Sequence, residues 1–250
     1  MAFQTVFKRY ELKYMLTPEQ KEKILQAMSP YMELDKYGRT TIRNIYFDTD
    51  SYRLIRRSVE KPEYKEKLRI RSYTQATDDS NVFVELKKKY GNIVYKRRLP
   101  LRQSDAISWV SREKACPVNT QISREIDYFI DFYGKLNPTV LLSYEREAYY
   151  DKNGGDFRVT FDDVILCRQT EVDLRAPIYG TPILPKGKVL MELKCSGGIP
   201  LWLVEVLSRE HIYKTSFSKY GTAYSTLIFP SKYGKNLFPQ KENIIYGSNL

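Results

Sequence analysis

The sequence predicts an α+β chain built on a large antiparallel sheet of about eight strands with helices packed on it, the sheet being either open or closed into a barrel. Three observations predict it. Six short segments alternate strictly between two side-chain classes, the period of a strand. Turn signals of the hairpin type join several of them. Between the alternating segments lie stretches with helix caps and helix spacing, which indicates one α+β unit rather than separate domains. The repeating face of the strands is charged and mostly basic. In Lys65-Glu66-Lys67-Leu68-Arg69-Ile70-Arg71, one side carries Lys65, Lys67, Arg69 and Arg71, and the other carries Leu68 and Ile70.

Taken in order, residues 6–14 alternate as a strand. Thr17-Pro18-Glu19-Gln20 reads as an N-cap, a proline at the first helical position and an acidic first turn, opening a helix to Met28 before Pro30. Thr40 to Phe47 is a β-branched and aromatic strand. A short helix after Asp48-Thr49-Asp50 carries Arg53, Arg56 and Arg57. Pro62 opens a strand through Tyr73. Strands 82–89 and 93–101 form a hairpin around Tyr90-Gly91-Asn92. Residues 104–113 and 120–134 are helical, with Gly134 as a stop. A second hairpin, 140–149 and 156–167, turns at Asn153-Gly154-Gly155. Strand 188–195 and helical stretches near 200–208 and 217–227 complete a single domain over residues 1–230, and residues 231–250 read as a polar tail.

Composition narrows the function. With 42% hydrophobic residues a full core is available, so global disorder is excluded. The net charge of +11 favours anionic partners: phosphates, nucleic acid or acidic membrane surfaces. Cys116, Cys167 and Cys195 form no CxxC pair, so neither a disulfide framework nor a zinc site is indicated. With no secretory leader and no apolar run long enough to span a bilayer, the expected location is cytoplasmic. The lone His211 leaves no room for a histidine triad and reads as a surface or helix-end residue.

Collected by parity, the charged face carries Arg9, Glu11 and Lys13; Lys67, Arg69 and Arg71; Glu85 and Lys87; Lys96 and Arg98; Arg146; Arg158, Thr160 and Asp162; and Glu192 and Lys194. The opposite parity is apolar on most strands. Residues 93–101 are less clean, because Arg97 sits with Tyr95 and Leu99. In a flat sheet the charged face meets water. In a closed barrel it lines a lumen, where like charges repel and a bound polyphosphate would neutralise them through charge-assisted hydrogen bonds. The carboxylates then need a partner of their own. Some pair with neighbouring cations, and a divalent metal takes carboxylate and phosphate oxygens together.

Seven segments occur in an order that resembles the VTC domain, the catalytic domain of the vacuolar transporter chaperone polyphosphate polymerase, in its stand-alone bacterial form. They are Glu11-Leu12-Lys13-Tyr14, Leu68-Arg69-Ile70-Arg71, Val84-Glu85-Leu86-Lys87, Tyr144-Glu145-Arg146, Phe157-Arg158-Val159-Thr160-Phe161-Asp162, Met191-Glu192-Leu193-Lys194 and Phe217-Ser218-Lys219-Tyr220. The resemblance spans about residues 5–228 and places the chain among the triphosphate tunnel metalloenzymes. It implies a β-barrel tunnel and transfer of the ATP γ-phosphate to a growing polyphosphate with Mn²⁺ or Mg²⁺. It implies that Lys13, Arg69, Arg71, Lys87, Lys96, Arg146, Arg158 and Lys219 bind the triphosphate or product chain, with either Arg56 or Arg57 as a further arginine. Lys67 and Arg98 join them by parity. Glu192 would hold the metal, with Glu85 and Glu11 as further candidates for metal or water contacts. No specific nucleic acid is implied. Ser216 stands where the family often has a second basic residue, and Lys214 is the nearby substitute. Arg9 replaces the first carboxylate of the Glu-x-Glu-x-Lys strand of tunnel triphosphatases, which favours polymerase over hydrolase. A polyanion-binding module without catalysis is the non-enzyme alternative.

Overall fold

The computed structural model describes residues 10–91 and 93–234. Arg9, Asn92 and the tail from residue 235 lie outside the described residues. One antiparallel path runs β1 (Tyr10–Leu16), β10 (Val189–Cys195), β8 (Arg158–Arg168), β7 (Asn137–Asp151), β3 (Thr40–Asp48), β4 (Tyr64–Ser72), β5 (Asn81–Tyr90) and β6 (Ile93–Arg102). Two short strands that the sequence did not predict, β2 (Met32–Leu34) and β9 (Thr181–Pro182), pair with β7 and β8. They are too short to display a period of two.

The sheet curls strongly. Glu11 of β1 and Lys87 of β5, with five strands between them along the path, meet at 2.7 Å. Irregularities in register near Tyr46/Phe47 and Ser143/Glu145 add to the curl, as bulges increase local twist. Val164 lies beside the second with φ of 45°, a conformation a β-branched residue adopts only under constraint. β1 and β6 end the path, and no pairing between them occurs among the described residues, so the expected closed barrel is here a curled sheet. The free edge of β1 is met by residues 214–215: Thr215 N–H donates to the Lys13 carbonyl, and Tyr14 bridges to Lys214. Covering an edge in this way blocks pairing with another chain.

Local signals account for the helices. Thr17 caps α1 (Pro18–Met28) with the full capping box that Gln20 completes. α4 (Gln121–Tyr133) ends at Gly134, whose φ of 73° suits glycine. α1 and α5 (Leu201–Arg209) cover the convex face of β1, β10 and β8 around Leu16, Met191 and Leu193. α3 (Gln103–Val110) and α4 cover β4–β6 around Leu68, Val84 and Trp109. Arg97 pairs with Glu125 of α4 at 2.8 Å, which explains the irregular parity of β6: it is a convex-face ion pair. His211 is exposed just past α5.

Not all helices lie outside. α6 (Lys219–Ala223), a π-helical turn (Tyr224–Ile228) and α7 (Phe229–Tyr233) sit on the concave side with α2 (Arg53–Val59). There Tyr220, Tyr224 and Ile228 pack on Ile42, Leu142, Tyr144 and Leu190, which share strand parity with the charged residues. Tyr220 stacks on Tyr46 at 4.7 Å and donates to Asp48 at 3.0 Å. One part of the concave face is therefore dry core, and the rest is charged. Ile228→Ala is expected to lower stability by about 2–5 kcal/mol, the usual range for truncating a fully buried aliphatic side chain. An unchanged denaturation midpoint would mean that the C-terminal segment is not part of the core.

Candidate functional site

The charged part of the concave face brings together residues from β1, β4–β8, β10 and α6. Cross-strand partners share a face, and the register aligns Lys13 with Glu192, Glu11 with Lys194, Lys67 with Lys87, Arg69 with Glu85, Glu85 with Arg98, and Lys87 with Lys96. On this face lie thirteen cations: Lys13, Lys65, Lys67, Arg69, Arg71, Lys87, Lys89, Lys96, Arg98, Arg146, Arg158, Lys194 and Lys219. Four carboxylates, Glu11, Glu85, Asp162 and Glu192, oppose them. That leaves nine formal positive charges in excess, in a chain whose whole surplus is +11.

Three groups can be distinguished. In the first, the buried Glu85 carboxylate receives Arg69 at 2.7 Å, Arg98 at 2.6 Å and Lys96 at 2.7 Å, with Arg71 at 3.9 Å. Tyrosine hydroxyls steady the guanidinium groups: Arg69 donates to Tyr46, Arg98 to Tyr73 and Arg71 to Tyr144, and Arg71 also donates to the side-chain Oδ1 of Asn44. In the second, Asp162 receives a two-pronged Arg146 at 2.6 and 2.7 Å and Lys219 at 2.5 Å. Glu192 adjoins it, 3.2 Å from Lys219, 3.4 Å from Lys13 and 3.6 Å from Arg146. In the third, Glu11 pairs with Lys87, while Lys67 donates to Ser218 Oγ at 3.0 Å and Lys13 to the Phe217 carbonyl at 2.6 Å.

The electrostatics follow from crowding. Burial by itself would raise Glu85, yet Arg71, Arg69, Lys96 and Arg98 hold it well below the carboxylate range. Burial likewise opposes ionisation of Asp162 and Glu192, and Lys219 leads the cations that keep both ionised. Glu11 is held at about 2, its burial outweighed by Lys87 and Lys194. The lysines pay the opposite tax. Burial, then Lys87, Lys13, Lys65 and Arg69, push Lys67 down to about 7. Burial pushes Lys96 to about 7 against the pull of Glu85, and Lys194 to about 8. Lys219 alone among the buried lysines rises, because Asp162 and Glu192 outweigh its desolvation.

Of the residues singled out in the sequence, Glu11, Lys13, Lys67, Arg69, Arg71, Glu85, Lys87, Lys96, Arg98, Arg146, Glu192 and Lys219 meet on this face. Arg158 is exposed at the strand end beside Lys194. Arg56 and Arg57 are exposed on α2. Arg57 acts on Tyr64 and Tyr133 around Glu66, on the convex parity of β4, and Arg56 on Tyr224. Lys214 and Ser216 are exposed along the β1 edge. The sequence reading missed Asn44, Tyr46, Tyr144 and Ser218. The signal for Asn44 was a lone amide in a strand otherwise rich in β-branched and aromatic residues; the tyrosines gave none, being indistinguishable from core aromatics.

A divalent metal is tested by the donors present. Among the described residues no group of three or more carboxylate, histidine or cysteine side chains converges. Glu85 is enclosed by cations, and Glu11 is tied to Lys87. Glu192 is the carboxylate that fits, with the buried Thr160 Oγ1, which has no hydrogen-bond partner among the described residues, on its register partner. One carboxylate plus phosphate oxygens is a donor set that Mg²⁺ and Mn²⁺ accept.

Fold and site together are a curled antiparallel sheet with a cationic concave face. Residues 8–228 match the VTC domain, and the chain belongs to that family. Comparison with curated proteins finds no match. Among solved structures, a proposed adenylate cyclase from Bacillus halodurans is similar with a TM-score of 0.54 at 15% identity, over 86% of this chain and 96% of that one. That likeness supports the fold. A second proposed adenylate cyclase, from Vibrio parahaemolyticus, has a TM-score of 0.46 at 10% identity, over 86% and 97% of the two chains.

The depressed Lys67 gives a pH test. Between about pH 7 and pH 10 the unfolded chain holds a proton on this lysine that the folded chain does not, so its penalty is full below pH 7 and fades as pH rises. Lys67→Met is expected to stabilise the anion-free protein most at about pH 6, the gain shrinking towards pH 10. A gain independent of pH in thermal denaturation would contradict the assignment.

Proposed function

We propose that the protein is a metal-dependent polyphosphate polymerase that transfers the γ-phosphate of ATP to the end of an inorganic polyphosphate chain held on the concave face. The observation that carries this reading is the concentration of nine excess formal charges, led by arginine forks, on one concave surface. Membership of the VTC family supports it. Arginine presents planar, paired donors that match phosphate oxygens, and these donors are held before any ligand arrives.

In the transfer, the bond from the γ-phosphorus to the bridging oxygen of ATP breaks, a bond to a terminal oxygen of the chain forms, and ADP leaves. Arg146 and Lys219 would hold one phosphate group, and Arg69, Lys96 and Arg98 another, so that attacking and leaving oxygens are aligned by position. Glu192 would hold Mn²⁺ or Mg²⁺, which when bound neutralises charge on the phosphates. No covalent nucleophile is needed. Cys195 belongs to the convex core, and burial pushes the Cys167 thiol up to about 12.

The test is incubation with ATP and Mn²⁺ followed by ³¹P NMR. A growing internal-phosphate resonance is expected. Orthophosphate without chain growth would indicate a tunnel hydrolase, and an unchanged ATP spectrum a binding module. Arg69→Ala and Arg146→Ala are expected to lower kcat by about 10²–10³-fold, the scale of losing one donor to a transition state. Glu192→Gln should abolish metal-dependent turnover; full activity in that variant would remove Glu192 from the metal site.

A further inference from the structure

Three carboxylates are buried in the charged part of the concave face, and they are not equivalent. Glu85 is 1% exposed and Asp162 is 0% exposed. Both oxygens of Glu85 are occupied: Oε1 by Arg98 and Lys96, Oε2 by Arg69. Both oxygens of Asp162 are occupied too, Oδ1 by Arg146 Nε, Oδ2 by Arg146 Nη2 and Lys219. A metal could reach either carboxylate only by displacing short charge-assisted bonds. Glu192 makes only longer contacts, at 3.2 Å and beyond.

We propose that Glu85 and Asp162 are positioning residues that fix two separate anion-binding stations: Glu85 orders Arg69, Arg98 and Lys96, and Asp162 orders Arg146 with Lys219. Each station takes a phosphate group of a linear oligophosphate. The proposal rests on the reading of the concave face as a phosphate site. Long cationic side chains that repel one another would splay and lose rotamer freedom when a ligand gathered them. A buried carboxylate gathers them in advance and sets their spacing. Arg146 spends Nε and Nη2 on Asp162 and keeps Nη1 without a hydrogen bond among the described residues.

The sign of the effect separates this role from two others. A carboxylate that only opposes phosphate should, when neutralised, tighten anion binding. A metal ligand should matter only when metal is present. A positioning carboxylate should, when neutralised, weaken binding without metal even though the site gains a positive charge. Calorimetric titration with inorganic triphosphate in EDTA reads the difference. Glu85→Gln and Asp162→Asn are each expected to weaken binding on the order of tenfold or more, while Glu192→Gln binds at least as tightly as the parent. Glu85→Asp keeps the charge but withdraws it by one methylene, and serves if the glutamine variant fails to fold; it too is expected to weaken binding. Tighter binding by Glu85→Gln or Asp162→Asn, parental affinity in Glu85→Asp, or an effect seen only with Mn²⁺ would overturn the proposal. Failure of the parent protein to bind triphosphate with or without Mn²⁺ would instead overturn the phosphate reading beneath it.

Discussion

Like-charge repulsion inside a curled sheet is the constraint on which the rest of this structure depends. Two unit charges 4 Å apart repel by about 4 kcal/mol at the effective dielectric of a protein surface, and the concave face gathers thirteen cations. Stability of the folded chain then requires that the carboxylates sit where repulsion is densest. Glu85 lies under Arg69, Arg71, Lys96 and Arg98; Asp162 and Glu192 lie under Arg146 and Lys219. At Lys67, where no carboxylate stands, and at Lys96, which shares Glu85 with three arginines, the response is a loss of basicity.

The remainder of the molecule supports that arrangement. The convex face carries two conventional cores under α1 with α5 and under α3 with α4, which can offset the electrostatic cost. The C-terminal segment adds a third core on the concave side, and the first residue of its helix α6 is Lys219. The same segment supplies Ser218, whose Oγ caps α6 and accepts from Lys67, and the Phe217 carbonyl that accepts from Lys13. Packing of Tyr220 and Ile228 thus fixes charged groups several residues away. Thirteen cations gather against four carboxylates on this one face, so a large part of the chain's basic character is a property of one surface.

Much of this was legible in the residues. Strict alternation gave the strands and their charged face, because cross-strand register conserves parity; Lys67, Arg69, Lys87 and Lys96 were placed on that basis. Thr17, Pro18 and Gln20 fixed the start of α1, and Gly134 fixed the end of α4. Other features depend on distant packing. The apolar pattern of residues 217–228 is the same whether a helix packs on the convex or the concave face, so its inward position was not readable. Closure of a sheet depends on bulges and register near Tyr46 and Val164, which leave little mark on composition. Glu85 was read as a candidate for metal or water contacts because carboxylate type and parity were all that could be seen. Its four cationic neighbours come from the two flanking strands, Arg69 and Arg71 from β4 and Lys96 and Arg98 from β6. Arg56 and Arg57 could not be separated in the sequence, and the fold sends both to the exposed side of α2.

The measurement that bears most directly on the central claim is a crystal structure with a non-hydrolysable ATP analogue and Mn²⁺. The account expects the triphosphate on the concave face, with its oxygens on Arg146 and Lys219 at one end and on Arg69, Lys96 and Arg98 at the other. A triphosphate bound on the convex side, or a concave face left empty while the analogue is held elsewhere, would contradict it.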